Sequence, residues 1–464
     1  MKCRSLLPCI AVSLVVLVCS RAQQSAPASR PDAAFRAAHT AWRVKWQRFT
    51  DASMKARQDG RITKGGVLPA DVAALQQDAD ADRERLVRDF GQRTDLGAEA
   101  LQLLAQVHEA GRDYRAAVVS YERCLAAGER DHPDLAVLHA LCIAAMNSKD
   151  DAVAARWMRA TIAAEDQAGA AAARDLYVRT SYFPRTLIAL GSWDALKAHV
   201  ATLAAHPAPE CRTAAKVFGV VGMLHARDTQ GAAAVVAEIR KDPAAYPDQQ
   251  AWAVAVELAL RVGQGQFDAG AQLVREFLAQ PEPAKVSAVD KNQRRYLAAV
   301  APFLGKPAPA VRVDHWVGGA VAGADALAAL RGKVVVLDFW QPWCEPCRHA
   351  MPKLIALQKE QGAAVQVLGL CKIEDYGYDV SEKKAVRPIA AVDYPAHVAD
   401  FRQDMAINYP LAIADTAANN TAYAVAGIPT LVVIDRAGIV RYMSCGAGEP
   451  GLFELAMAGV LGAQ

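Results

Sequence analysis

The sequence predicts a multidomain chain: an all-α region of helical hairpins over residues 32–301, then an α/β domain over residues 302–464. Three observations predict it. The composition changes at Ala301-Pro302, where Ala-rich sequence with apolar residues at helical spacing gives way to Gly, Pro, Val and short β-rich runs. Turn-forming clusters interrupt the first part every 35 to 40 residues or so, the period of helix-hairpin arrays. In the second part, the pair in Cys344-Glu345-Pro346-Cys347 sits between the strand-like run Val334–Trp340 and a helix start at Arg348-His349-Ala350-Met351-Pro352.

A chain of 464 residues is long for one domain. With 53% apolar and 22% charged residues it reads as globular throughout, and a net charge of +3 gives no case for nucleic acid or an anionic membrane surface as partner. Residues 1–22 have the layout of a signal peptide: basic Lys2 and Arg4, the apolar run Leu6–Val18, and small residues at Ser20 and Ala22 before a cleavage site. The run is shorter than the roughly 20 residues a spanning helix needs. The expected location is therefore periplasmic or secreted, after cleavage. Cys19 offers lipid attachment as the alternative, against which the bulky Val18 before it argues. Residues 23–31 are a polar, Pro-bearing linker.

Within 32–301 the breaks fall at Gly111-Arg112-Asp113, Asn147–Asp150, Gly191-Ser192, Asp228–Gly231 and Gly263-Gln264-Gly265. Leu104, Ala105, His108, Ala117 and Tyr121 take the packing positions of a tetratricopeptide repeat, and a shift of 34 residues brings Leu135, Ala154 and Met158 to equivalent places. The region resembles a degenerate tetratricopeptide-like array, with an irregular helical bundle as the other reading. An array would leave a concave face for a peptide or protein partner.

Strands are expected at 334–340, 365–371, 430–435 and 439–445, and helices near 347–361, 396–407, 417–426 and 450–461, which makes a sheet of mixed direction. Two cysteines two residues apart where a strand feeds a helix are suited to dithiol–disulfide exchange. Cys344 would sit at the helix N-terminus, exposed and with its thiolate favoured by the dipole and unpaired amides. Cys347, one turn on, would resolve a mixed disulfide. Pro346 removes an amide that could have bonded a sulfur, and the charge of Glu345 disfavours the thiolate, so both tune the pair toward reduction.

Five segments in order extend the motif: Gly305-Lys306-Pro307-Ala308-Pro309, Leu330-Arg331-Gly332-Lys333, Asp338–Cys347, Gly427-Ile428-Pro429-Thr430 and Asp435-Arg436-Ala437-Gly438. Residues 305–464 thereby resemble the TlpA/ResA branch of the thioredoxin fold. The resemblance implies a thiol–disulfide reductase of exported, disulfide-bearing proteins, re-reduced by a membrane-side electron donor. It implies a buried Asp338 that takes the resolving thiol's proton, since burial raises a carboxyl pKa toward neutrality. It implies a cis bond before Pro429, with Ile428 and Thr430 offering backbone to substrate; Trp343 and Trp340 are expected around the sulfurs, with plain core packing an equal reading for Trp340. One position departs: Ala350 stands where close family members often carry a glutamate.

No cofactor or metal is expected; a zinc site of Cys344, Cys347, His349 and Cys371 is the chemical rival. Cys124, Cys142, Cys211, Cys371 and Cys445 are expected mostly as buried apolar groups, with a third redox thiol as the other reading for Cys371. Cys371 and Cys445 fall on strands with two others between them, roughly 14 Å apart and beyond disulfide reach. The stretch Lys372–Pro395 exceeds what the fold needs. Its Tyr376, Tyr378 and Tyr394 place it either along the substrate groove or in a solvated insertion without a role. Two other functional readings stay open: a helical binding scaffold with a secondary thioredoxin-like domain, and a net oxidant or isomerase, which would share every site residue.

Overall fold

Five helix hairpins are closed by one turn, used repeatedly. Each places a residue in the left-handed region just before the next helix: Arg112, Lys149, Gly191, Arg227 and Gly265, with φ between 59° and 73°. In four of them the following amide reaches back to the end of the previous helix, as Asp113 N does to His108 O at 2.9 Å and Asp228 N to Met223 O at 2.8 Å. The next residue is then the N-cap. The carboxylates of Asp113, Asp150 and Asp228 accept from the amides of Ala116, Val153 and Gly231, each cap contributing about 1 kcal/mol. These are the breaks read from the sequence.

The computed structural model describes residues 30–463, apart from 63–67, 129–133, 170–175, 177, 243–246, 282–290, 322–325, 383, 415 and 447–450. The expected signal peptide (1–22), Cys19 and the linker up to residue 29 lie outside the described residues. Arg30 and Pro31, expected in the linker, already belong to the first helix, α1 (Arg30–Gln58).

The chain divides at Ala214/Ala215 into two compact units. The first holds α1, α2 (Ala70–Phe90), α3 (Ala98–Ala110), α4 (Tyr114–Ala127), α5 (Leu135–Asn147), α6 (Asp151–Ala168), a π-helical turn at Val178–Tyr182, α7 (Phe183–Ala189), α8 (Trp193–Ala205) and the start of α9 (Pro209–His225). Consecutive helices pack through small and aliphatic residues, with Leu104, Leu138, Leu141 and Met158 among the most buried.

The second unit holds the end of α9, then α10 (Thr229–Lys241), α11 (Pro247–Gly263), α12 (Phe267–Ala279), α13 (Lys291–Val300) and all of the α/β fold. The boundary expected at 301/302 therefore falls inside this unit. Helices in 215–300 pack on the C-terminal helix and on the last strand, which composition does not reveal. α11 packs along the C-terminal helix, and a Cβ on Gly459 would lie 2.0 Å from Val262 O and 2.6 Å from Gly263 Cα. Arg441 on the last strand also lays its guanidinium 4.6 Å from the Phe267 ring centre.

The α/β part runs β1 (His315–Val317), β2 (Val334–Phe339), α14 (Glu345–Gln361), β3 (Val365–Lys372), β4 (Gly377–Asp379), β5 (Lys384–Val386), α15 (Tyr394–Asp404), β6 (Leu411–Ala414), α16 (Ala418–Ala422), β7 (Thr430–Ile434), β8 (Val440–Cys445) and α17 (Leu452–Gly462). Six strands form one mixed sheet, ordered β1-β6-β3-β2-β7-β8. β2 is central and fully buried, parallel to β3 and antiparallel to β7. Val335, Leu337 and Phe339 face one core with Leu368, Leu370, Val432 and Ile434; alternation turns Asp338 to the opposite face. The four expected strands and four expected helices are present. β1, β6 and the β4–β5 hairpin were not foreseen, because three- and four-residue strands leave little periodicity to read.

Candidate active site

β2 ends at Phe339, and five residues later Cys344 is the N-cap of α14: its sulfur accepts from Cys347 N at 3.2 Å. Cys344 and Cys347 are joined in a disulfide with Cα atoms 5.2 Å apart, inside the range that bridges without backbone movement. Glu345 and Pro346 open the helix, both partly exposed, and Pro352 lies within it. The helix amides that favour an anion are thus aimed at Cys344. Its expected exposure is corrected: Cys344 is 3% accessible, little more than Cys347 at 0%.

Asp338 lies on β2, 1% exposed, and neither carboxylate oxygen has a hydrogen-bond partner among the described residues. Burial lifts its pKa to about 7. Three features bring other polar groups to the same place. Gly369 pairs with Asp338, and its missing side chain leaves room that the Trp340 indole nitrogen and Leu411 border. Burial, and secondarily the charge of Asp338, push the Cys371 thiol well above its usual range. The same two causes act on the buried Tyr409 hydroxyl.

On the other side of β2, the Ile428–Pro429 bond is cis. Pro429 O accepts from Gly446 N at 2.7 Å, and Thr430 Oγ1 donates to Gly427 O at 2.7 Å. Thr430 is 1% exposed and paired on both sides, with Phe339 and with Cys445. Its expected substrate contact is therefore corrected: it shapes the loop from within. Ile428 is half-buried against the core. Cys445 stands behind this loop, its sulfur 3.6 Å from Gly427 O and in hydrogen-bonding contact with Thr430 and with Tyr296 of α13.

Trp340 and Trp343 part company. Trp340 stacks on Phe401 in the core, ring centres 5.1 Å apart, whereas Trp343 is half-buried and stacks on Tyr376 at 5.4 Å. Sequence reasoning missed Gln341, Arg348 and Arg387. Gln341 Nε2 donates to Lys372 O at 3.1 Å and its Oε1 accepts from Tyr394 OH at 2.6 Å, so one side chain holds both ends of the segment after β3. Arg348 Nη1 donates to Pro342 O, and its guanidinium lies 3.8 Å from the Tyr378 ring centre. The tyrosines were a usable signal; nothing in the sequence marks Gln341 or the arginines.

The strand order puts β2 and β7 between Cys371 and Cys445, in line with their expected separation. Cys124, Cys142, Cys211 and Cys371 are buried, and Cys445 is partly exposed. Among the described residues no three His, Cys, Asp or Glu side chains converge to hold a metal, and His349 is exposed.

Residues 304–443 match the model of the AhpC/TSA family. The thioredoxin-like protein YneN of Bacillus subtilis (strain 168) is 29% identical over 121 residues, 26% of this chain and 61% of YneN. The thiol-disulfide oxidoreductase ResA of Geobacillus kaustophilus (strain HTA426) is 30% identical over 123 residues, 26% of this chain and 59% of ResA. The chain thus covers less than two thirds of either relative. Among solved structures, a thiol-disulfide isomerase from Corynebacterium glutamicum matches 34% of this chain and 98% of its own, at 23% identity and a TM-score of 0.28. The C-terminal part of the chain has a thioredoxin-like fold, and its residues 304–443 are similar to the AhpC/TSA family.

Proposed function

We propose that this protein is a thiol–disulfide oxidoreductase that reduces disulfides in exported proteins, and that it acts in the periplasm or outside the cell after loss of residues 1–22. The observation that carries the reading is Cys344 as N-cap of α14, one turn from Cys347, with an unpartnered, buried Asp338 on the strand that feeds them. In the reduced protein the Cys344 thiolate attacks a substrate disulfide; one substrate sulfur leaves as a thiol and a mixed disulfide forms. Cys347 then gives its proton to Asp338 and attacks Cys344 Sγ. The substrate departs with both sulfurs reduced, and the protein is left with the Cys344–Cys347 disulfide. Two electrons from a membrane-side donor restore the dithiol. Pro429 and Ile428 bend the backbone against the pair, and Glu345 and Pro346 set its potential. The helix hairpins would hold a protein partner.

The test is the reduction potential of the pair in the mature protein, equilibrated in dithiothreitol and glutathione buffers. A value near the −270 mV or so of thioredoxin supports the reductase direction. A value near about −120 mV points to a net oxidant instead, and the absence of any reversible couple leaves the scaffold reading.

A further inference from the structure

We propose that the segment between β3 and α15 is the specificity wall of this site, and that Tyr376 and Arg387 on it select extended polypeptide disulfides over small-molecule ones. The inference rests on the oxidoreductase reading and deepens it.

Topology places two features at the same end of β2. β7 is antiparallel to β2 and pairs Thr430 with Phe339, so the cis-Pro429 loop lies at the C-terminal end of β2, on its β7 side. β3 is parallel to β2 on the other side, and its continuation at Lys372 emerges at that same end. The Cys344–Cys347 motif, which follows that same end of β2, therefore shares it with the cis-proline loop and with the segment that continues from Lys372.

That segment is built onto the active-site loop. Gln341 fastens both of its ends, Lys372 O and Tyr394 OH. Its β4–β5 hairpin is held by pairing of Gly377 with Val386 and of Asp379 with Lys384. The amide of Tyr378 donates to His397 Nε2 at 3.3 Å, an approach that leaves no room for a side chain on Gly377. Next to the motif the Trp343 ring stacks on the Tyr376 ring at 5.4 Å, and the Arg387 guanidinium lies 4.6 Å from the Tyr376 centre. Arg387 is exposed.

A purely solvated insertion would not place an aromatic–guanidinium stack on the residue that precedes the attacking cysteine. A disulfide reaching Cys344 must enter between this wall and the cis-proline loop, so a chain lying along that loop has its flanking residues against Tyr376 and Arg387. Aromatic and guanidinium faces bind side chains and peptide planes with little entropy to lose. A small disulfide spans only the sulfurs and makes no such contacts.

The experiment compares kcat/KM for reduction of insulin with that for oxidised glutathione in the full chain, Y376A, R387A and Y376F, with the reduction potential measured on each. Expected is a fall of tenfold or more in the insulin-to-glutathione ratio for Y376A and R387A, an unchanged potential, and retention of the ratio in Y376F. An unchanged ratio in folded Y376A and R387A, or equal losses on both substrates, overturns the inference. If the wild-type protein has no reversible couple, it is the oxidoreductase reading that fails, so the two failures are distinguishable.

Discussion

Each unit of the molecule buries a carboxylic acid to 1% exposure, and the two are treated in opposite ways. In the first unit Glu165, 1% exposed, is held by His139 Nε2 at 2.8 Å and by Arg179 Nη2 at 3.4 Å. In the second unit Asp338, equally buried, has no partner among the described residues, and its surroundings raise its pKa to about 7. A paired buried acid joins elements, here α5, α6 and the π-helical turn at Val178–Tyr182. An orphaned one is a cost to stability, and such a cost is expected where a proton must move.

The contrast is sharpest in mutants. E165A takes the partner from His139 and one of two acids from Arg179, which keeps Asp166 at 2.8 Å, and should cost about 1–3 kcal/mol, read from urea unfolding. D338N should do the reverse. Because the folded-state pKa lies above the ordinary 3.8, the native protein holds the proton over the window from about 4 to about 7 while the unfolded chain has lost it. Stability therefore falls as pH rises through that window. At about 1.36 kcal/mol per unit, Asp338 costs up to about 4 kcal/mol above pH 7. D338N should recover much of that at pH 8 and little at pH 4. Equal gains at both pH values would mean that packing, rather than charge, explains the effect.

The same substitution should damage turnover. Loss of a positioned base typically costs 10²–10⁴-fold, so D338N should let the mixed disulfide accumulate on non-reducing gels. In the wild type, resolution should slow as pH falls below about 7, where Asp338 becomes protonated. A pH profile that is unaltered in D338N would break the comparison, because both buried acids would then be structural.

How much of this was legible follows the length scale of the signal. The dithiol, Asp338, the cis-Pro429 loop and the long strands are local patterns of a few residues, and they can be read because each conformation demands particular residue types. The hairpin turns were legible for the same reason: a left-handed residue followed by a capping Asp recurs. What escaped depends on residues distant in sequence. Gln341 meets Lys372 and Tyr394 only after β3 and the following segment have folded back. The burial of Cys344 and the inward turn of Thr430 come from neighbours on other elements. The division at Ala214/Ala215 was hidden because helices 215–300 share their composition with those before them, while the Gly263–Gly459 contact that ties α11 to α17 joins residues nearly 200 positions apart in sequence.

That contact gives the next prediction. In G459A the new methyl group would meet backbone of Val262 and Gly263, so α11 and α17 must separate. Overpacking of this kind costs about 1–3 kcal/mol. G462A, on the same helix with nothing within 4 Å of its Cβ position, is the control and should not destabilise. Equal behaviour of the two in thermal unfolding would mean that helices 215–300 are only loosely attached to the α/β part.

The smallest effect tests whether the hairpin turns are one device in both units. Gly191 and Gly265 fill the left-handed position at φ 64° and 73°, while Arg112, Lys149 and Arg227 hold it at about the same angle with a side chain attached. A left-handed non-glycine residue costs about 1–2 kcal/mol, and glycine surrenders roughly 0.5–1 kcal/mol of chain entropy on folding. R112G in the first unit and R227G in the second should therefore each gain about 0.5–1 kcal/mol, and G191A should lose a similar amount. If R112G destabilises while R227G stabilises, the arginine in the first unit holds something its turn geometry does not require, and the two hairpin series are not equivalent.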